Sequence, residues 1–475
     1  MIVSQQDFSA LDAENLVRDR RAFFRTGATH SYRWRVAQLR ALRAMLITHG
    51  HEFEHTLLAD VGKGATEAQL TEISFTVGEI DHTLRHLRRW LRPRRVAAPV
   101  SLAPARARII REPLGVALII GPWNYPLQLL LVPLLGALAA GNTAVVKPSE
   151  MAPATSALLA RLVPRFLDAR AVSIVEGAVP ETTALLAQRF DHIFYTGNAV
   201  VGRIVARAAA EYLTPTTLEL GGKSPVFIDE SANLRDVARR LIWGKMTNAG
   251  QTCVAPDYVL ASPKTAALLL PELGAAITEM YGLDPAASPD YGRIVNRHHF
   301  DRLGALLSGQ SPQIGGESSA ESLYVAPTVI NGADPESAVM AEEIFGPILP
   351  IVHVAGAEEA IEFINAREKP LALYLFSESA RVRRHFLRRT SSGGVGVGIP
   401  IAHLTVPGLP FGGVGQSGHG AYHGEASITT FSHEKSVLIK GTRPDTLRLI
   451  YPPYTLERKR LIAAVMLRGR RGDTL

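Results

Sequence analysis

From Pro113 to Val146 the chain runs 34 residues without a charged side chain. A run of that kind either crosses a membrane or is buried on every side in a protein core. A spanning helix needs about 20 predominantly apolar residues in succession. Here Trp123, Asn124, Tyr125, Gln128 and Asn142 interrupt the run, and prolines stand at 122, 126 and 133. The stretch therefore reads as a buried strand over 115–121, a loop, a buried helix over 128–141 and a second buried strand over 143–148.

The alternation continues downstream. A helix is expected over 153–167, a strand over 171–177, a helix from Pro180, a strand over 192–197 and a helix over 199–211. TTLELGG (216–222) and PVFID (225–229) close the series as strands. Apolar, β-branched runs alternating with helices predict a parallel sheet covered on both faces. Such a sheet binds ligands at the carboxyl ends of its strands. Upstream, residues 1–93 carry helical spacing, as in Leu84, Leu87 and Leu91, with Arg85, Arg88, Arg89 and Arg92 on a solvated face. Residues 94–113 are rich in Pro, Ala and Arg and read as extended strands outside the main sheet. A second strand–helix region runs from about 234 to 398, and SVLIK (436–440) is a late strand. At 475 residues the chain has room for about three structural units.

Charge and cysteine usage exclude several classes of function. The formal charge is +7, but residues 441–475 hold eight Lys/Arg against three Asp/Glu, so most of the excess sits in the tail. That distribution does not make a nucleic-acid-binding face. The tail reads as solvated, with contact to an anionic lipid surface as its alternative. A single cysteine, Cys253, rules out an intrachain disulfide and any multi-thiolate metal cluster. It fits a reducing compartment. The N-terminus lacks a basic start followed by an apolar run, so the expectation is a cytoplasmic, soluble protein.

Several short motifs carry chemistry. HEFEH (51–55) matches H-E-x-x-H, with Glu72 or Glu79 as a third zinc ligand; its plain reading is a surface helix. GVGQSG (413–418) fits G-x-G-x-x-G but follows Pro410 and meets Gly420, so a loop is expected. TGNAVVG (196–202) lies at a strand-to-helix turn, where glycines and a helix N-terminus suit a phosphate. VVKPSE (145–150) sets Lys147 and Glu150 at a strand end, where they could hold ribose hydroxyls; an exposed turn is the plain alternative. Cys253 sits in NAGQTC, polar and glycine-containing, unlike a core strand. A nucleophilic thiol needs partial access and a lowered pKa. Glu219 ends a buried strand in an apolar setting, which predicts a raised pKa and a general base.

Taken together, GPWNYPLQL (121–129), VVKPSE (145–150), FYTGN (194–198), LELGGKSP (218–225), NAGQTCVAPDY (248–258), EEIFGPILPI (342–351) and PFGGVGQSGHGAYHG (410–424) resemble the aldehyde dehydrogenase superfamily. They stand in the family's order from about residue 100 to 440. APDY after the cysteine and GAYHG resemble the class 3 branch of fatty and aromatic aldehyde dehydrogenases. The resemblance implies an α/β fold with a Rossmann-like NAD(P)-binding domain (1–93 and 114–222) and an α/β catalytic domain (223–400). It further implies a small β bridging or oligomerisation arm (94–113 and 425–441), leaving a basic tail (442–475).

The same resemblance implies roles for the matched residues. Cys253 is the nucleophile, Glu219 activates the hydrolytic water, and the Asn124 amide with the Cys253 backbone N–H forms the oxyanion hole. Lys147 and Glu150 meet the adenosine ribose, Gly197 and Gly202 border the pyrophosphate, Glu343 and Phe345 hold the nicotinamide ribose and ring, and Trp123 joins the cofactor contacts. No metal is implied. The expected activity is NAD(P)-dependent oxidation of an aldehyde to a carboxylic acid in a homodimer. NAD is the first cofactor, because Glu150 repels a 2′-phosphate, and NADP is the second. A coenzyme A-dependent acylating enzyme, a zinc peptidase and a non-catalytic membrane-docking relative are the rivals. One departure stands out: Gly398 and Ile399 occupy places where the family usually carries Asn-Asp, with consequences expected for loop bonding and the substrate pocket.

Overall fold

The computed structural model describes residues 8–468; the segments 1–7 and 469–475, at the ends of the first predicted domain and of the basic tail, lie outside the described residues. The uncharged run folds as its pattern requires. Val116–Ile120 and Thr143–Lys147 are adjacent parallel strands, and the helix Gln128–Ala140 between them is buried at every residue. Along the first strand, Ala117 and Ile119 enter one hydrophobic core, while Val116, Leu118 and Ile120 enter another. Both faces of the sheet are covered, so alternation of polar and apolar residues disappears from the sequence.

This first sheet has six strands in the order Gly418–His419, Thr216–Glu219, His192–Thr196, Val116–Ile120, Thr143–Lys147, Val172–Ile174. All pairs are parallel except the short Gly418–His419 edge. The chain starts in the middle, moves outward one way and then returns to build the other side. The reversal falls between the strands Val116–Ile120 and His192–Thr196, which is where an open α/β sheet leaves a ligand crevice.

A second six-stranded sheet is wholly parallel, in the order Thr328–Asn331, Ile348–His353, Tyr258–Ala261, Pro225–Ile228, Ala372–Phe376, Gly394–Val397. This corrects one expectation. PVFI does not close the first series but forms an inner strand of the second sheet. The turn Leu220–Ser224 carries the chain from one sheet to the other.

The third sheet is antiparallel and largely exposed: Arg94–Val96, Ala105–Pro113 and Ser432–Lys440. The last two pair over nine residues, Ser432 with Pro113 through Lys440 with Ala105. The late strand thus begins four residues before the predicted SVLIK. Helices Ala10–Arg25, Tyr32–Thr48, Gly50–Val61 and Ser74–Trp90 make up the N-terminal region. The last described element is a helix, Leu456–Arg468, and no helix among the described residues is long and apolar enough to cross a membrane.

Leu118 has no exposed surface and lies in the middle of the central strand. Leu118→Ala is expected to lower stability by about 2–5 kcal/mol. Urea unfolding should show an earlier midpoint at unchanged slope.

Candidate active site

Asn124 and Gly197 follow the carboxyl ends of first-sheet strands and Glu219 ends another, while Cys253 lies in the loop that leads into the second-sheet strand Tyr258–Ala261. The helix Leu234–Met246, capped by the Asn233 side chain, ends just before NAGQTC. Asn248, Ala249 and Gly250 then follow with φ of 53°, 51° and 76°. Left-handed backbone costs a non-glycine L-residue about 1–2 kcal/mol, so two such residues in succession need support. The Asn248 N–H donates to Glu67 Oε1 at 2.8 Å, and Asn248 Nδ2 donates to the Asn124 carbonyl at 2.9 Å. Gln251 Nε2 donates to the carbonyls of Asn248 and Arg293, and its Oε1 accepts from the Val295 N–H. Tyr125 and Thr252 share a hydroxyl hydrogen bond at 2.7 Å, and the Tyr374 hydroxyl donates to the Val254 carbonyl. At Gly250 an added Cβ would lie 2.3 Å from the Gly346 carbonyl oxygen. The EEIFG backbone therefore presses directly on this loop. Cys253 sits at its end, partly exposed and free.

Asn124 lies in the loop after the central strand, almost fully buried, and its Nδ2 donates to the Gln251 carbonyl at 2.9 Å. A primary amide carries two N–H donors, so one remains beside the nucleophile loop. The asparagine's own position is fixed from behind. Lys63 Nζ donates to Glu72 Oε1 at 2.5 Å and to the Asn124 carbonyl at 3.3 Å, and lies 3.9 Å over the Tyr125 ring. Glu72 Oε2 accepts the N–H groups of Leu127 and Gln128 at the start of the buried helix. Neither side chain of this ion pair is exposed. Glu72 itself sits in a single wide turn, Gln69–Ile73, an irregularity that helices often carry near functional loops.

Glu219 ends its strand, pairs with Gly418 across the sheet, and its backbone carbonyl accepts the Gly197 N–H at 3.0 Å. The carboxyl is buried, and neither oxygen has a hydrogen-bond partner. Burial pushes its pKa well above the usual carboxylate range, as the sequence suggested for a base. The Cys253 thiol departs from expectation. Burial, then the facing Glu343 and Glu219 carboxylates, hold it well above an ordinary thiol rather than below. Glu343 lies against Gly221, accepts the Gly222 N–H, and burial lifts its pKa to about 8. Both carboxylates therefore disfavour a thiolate at Cys253.

The remaining predicted residues fall into two groups. Trp123 meets Phe345 edge to face, ring centres 5.5 Å apart, and Phe345 has a φ of 48°. Lys147, Gly197 and Gly202 lie along the carboxyl edge of the first sheet. The Lys147 ammonium is buried, donates to the Pro148 carbonyl at 2.7 Å and stands 3.7 Å from the exposed Glu150 carboxylate. At Gly197 an added Cβ would lie 2.3 Å from the Tyr195 hydroxyl, and at Gly202 2.8 Å from Leu220. Asn198 caps the helix Ala199–Ala210 between them. A side chain at either place would have to displace its neighbour, and the helix N-terminus at the sheet's crevice suits the phosphates of a dinucleotide.

Other motifs resolve differently. His51 and His55 are exposed on the helix Gly50–Val61, and His51 bonds Glu54. Glu72 is taken by Lys63, and Glu79 faces His423. Among the described residues no group of three or more His, Cys, Asp or Glu is placed to hold a metal ion. GVGQSG forms a short turn and an edge strand. At the Gly398–Ile399 departure the loop is bonded through its backbone: the Gly398 carbonyl accepts from Arg240 at 2.7 Å and its N–H donates to the Leu375 carbonyl. The sequence reading missed Lys63, Tyr125, Gln251, Tyr374 and Lys245. Only Lys245 left a local signal, a lysine flanked by apolar residues in LIWGKM.

The Aldehyde dehydrogenase family matches this sequence over residues 1–437. Aldehyde dehydrogenase family 3 member B1 of Rattus norvegicus is 47% identical over 454 residues, covering 95% of this chain and 97% of the relative. The rat protein named "Aldehyde dehydrogenase, dimeric NADP-preferring" is 46% identical, covering 92% of this chain and 97% of its own. A solved structure titled "Substrate bound state of Staphylococcus Aureus AldH" superposes with a TM-score of 0.93 at 43% identity, over 95% of this chain and 99% of that one.

Removing one partner of a buried ion pair strands the other charge. Lys63→Met is expected to destabilise by about 3–5 kcal/mol. Adding Glu72→Gln should recover part of that loss, measured by chemical unfolding of both variants.

Proposed function

Because the chain belongs to the aldehyde dehydrogenase family and is an NAD(P)-dependent aldehyde dehydrogenase, we propose that Cys253 is its nucleophile, Glu219 its hydrolytic base and Asn124 its oxyanion donor. One observation carries this reading. A partly exposed thiol on a loop held by the side chains of Glu67, Asn124, Tyr125 and Tyr374 faces a buried carboxyl that has no hydrogen bond of its own.

An aldehyde has no leaving group other than hydride. Addition of the Cys253 sulfur to the carbonyl carbon makes a tetrahedral alkoxide. The free Asn124 amide N–H and the Cys253 backbone N–H hold that oxygen; removing one such donor typically costs about 2.7–4 kcal/mol of transition-state stabilisation. The bound nicotinamide supplies the acceptor for the departing hydride. The thioester left on Cys253 then needs water, and neutral water needs a base. Glu219, unbonded and with a raised pKa, takes that proton and releases the carboxylic acid.

For the cofactor, Gly197 and Gly202 leave room for the pyrophosphate, Lys147 and Glu150 meet the adenosine ribose, and Glu343, Phe345 and Trp123 border the nicotinamide end. Glu150 repels a 2′-phosphate and favours NAD, with NADP second. Residues 1–93 and 114–222 serve as the cofactor domain and 223–400 as the catalytic domain. Residues 94–113 and 425–441 form the arm. Two open sheet edges support a homodimer built through it: Ser432–Lys440 on the arm, with Leu438 and Ile439 about half exposed, and Gly394–Val397 on the second sheet. A reducing, cytoplasmic compartment keeps the one cysteine as the thiol this chemistry needs.

Cys253→Ala should abolish NADH and NADPH production from a panel of medium-chain and aromatic aldehydes. Glu219→Gln should retain a rapid first burst of reduced cofactor and lose steady turnover by about 100-fold or more. A normal steady state in that variant would remove Glu219 as the base. Leu438→Lys combined with Ile439→Lys should convert a dimer to a monomer in sedimentation velocity; an unchanged mass would discard the arm as the interface.

A further inference from the structure

The departure at Gly398 and Ile399 lies in segment 396–400, GVGIP, which has no polar side chain of its own. The segment is nevertheless bonded and packed on two sides. On one side stands the helix Leu234–Met246, which runs into the nucleophile loop. Arg240 on that helix donates to the Gly398 carbonyl at 2.7 Å. One turn later, a Cβ added at Gly244 would lie 2.4 Å from the Pro400 ring. The proline thus rests on bare helix backbone, a contact that any side chain at 244 would push apart.

On the other side stands Tyr374, in the middle of the strand Ala372–Phe376 and paired with Gly396 across the second sheet. A Cβ added at Gly396 would lie 2.9 Å from the Tyr374 ring and 2.3 Å from the Ile399 carbonyl oxygen. The phenol ring therefore occupies the space that a side chain at 396 would take, and it has no exposed surface. From that seat its hydroxyl donates to the Val254 carbonyl at 2.5 Å. Val254 directly follows Cys253. A buried carbonyl that loses its donor bears the cost of its own desolvation, so the bond is a strong constraint on the backbone beside the sulfur.

We propose that segment 396–400 is a brace for the nucleophile loop and that Tyr374 is its positioning residue, the segment seating the phenol and the phenol fixing the backbone next to Cys253. The brace grips the loop at both ends: Arg240 and Gly244 lie before the cysteine, and Val254 lies after it. The position of the sulfur relative to the Asn124 amide and an incoming carbonyl carbon follows from that grip. The proposal rests on the reading of Cys253 as nucleophile.

The test is the pre-steady-state burst of reduced cofactor from the intact protein, using the aldehyde that the wild type oxidises fastest, together with KM for the cofactor and the thermal midpoint. Tyr374→Phe keeps the ring and removes the donor. Its burst rate should fall by about 10- to 100-fold, with KM for the cofactor unchanged. Gly396→Ala keeps the donor but displaces its seat, and should lose burst rate in the same way. Phe386→Leu is the control. That ring is buried on the other face of the second sheet, stacked on Phe227, so the variant lowers stability without touching the brace and should keep the wild-type burst. A wild-type burst rate in Tyr374→Phe would overturn the proposal. An equal loss in Phe386→Leu would also overturn it, by assigning the effect to lowered stability. If Tyr374→Phe does not fold, Gly396→Ala is read against the same control with the same two outcomes. A normal burst in Tyr374→Phe beside an inactive Cys253→Ala would leave the nucleophile assignment standing; an active Cys253→Ala would remove that assignment itself.

Discussion

The buried contact between Lys63 and Glu72 is the fixed point from which the catalytic loops are set. Its two charges come from the N-terminal helical region, far in sequence from every residue that does chemistry. Yet the lysine grips the Asn124 carbonyl, and the glutamate receives the first N–H groups of the fully buried helix Gln128–Ala140. A carboxylate at a helix N-terminus is favourable in its own right. A few residues earlier, Glu67 holds the Asn248 N–H. One short segment thus supports both the oxyanion loop and the nucleophile loop from behind, and the two are tied to each other through Asn124, Asn248 and Gln251. The arrangement explains how the left-handed residues Asn248 and Ala249 persist: the surroundings over-determine them.

The electrostatics of the site run against a simple picture of an activated thiol. Burial drives Glu219, Cys253 and Glu343 each toward the neutral form, and the two carboxylates add to the effect at the thiol. For Glu219 that is useful, because a carboxylate whose pKa is raised is a stronger base toward water. For Cys253 it is a cost that thiolate formation has to meet.

Much of the fold was legible because both faces of two sheets are covered. Val116–Ile120, Thr143–Lys147 and His192–Thr196 could be read directly from apolar runs, and the long arm strand was found short by four residues because its exposed half, SHEK, has no such pattern. The sheet to which PVFI belongs was not legible, since a strand's partners depend on where the preceding turn sends the chain. In the site, residues at strand ends stood out: Lys147, Gly197 and Glu219 all follow apolar runs. The groups that hold the site together did not stand out, because their meaning lies in contacts more than fifty residues away, such as Lys63 with Asn124 or Tyr374 with Val254. HEFEH shows the opposite failure, a local pattern whose histidines share a helix but find no third group beside them.

The solitary sulfur has a consequence for the life of the molecule. A thiol that meets peroxide passes to a sulfenic acid, and a neighbouring cysteine normally captures that state as a reversible disulfide. This chain offers none. Rescue must come from a small thiol diffusing in through the same opening that admits aldehydes, so tolerance of oxidative stress is set by how wide that opening stands.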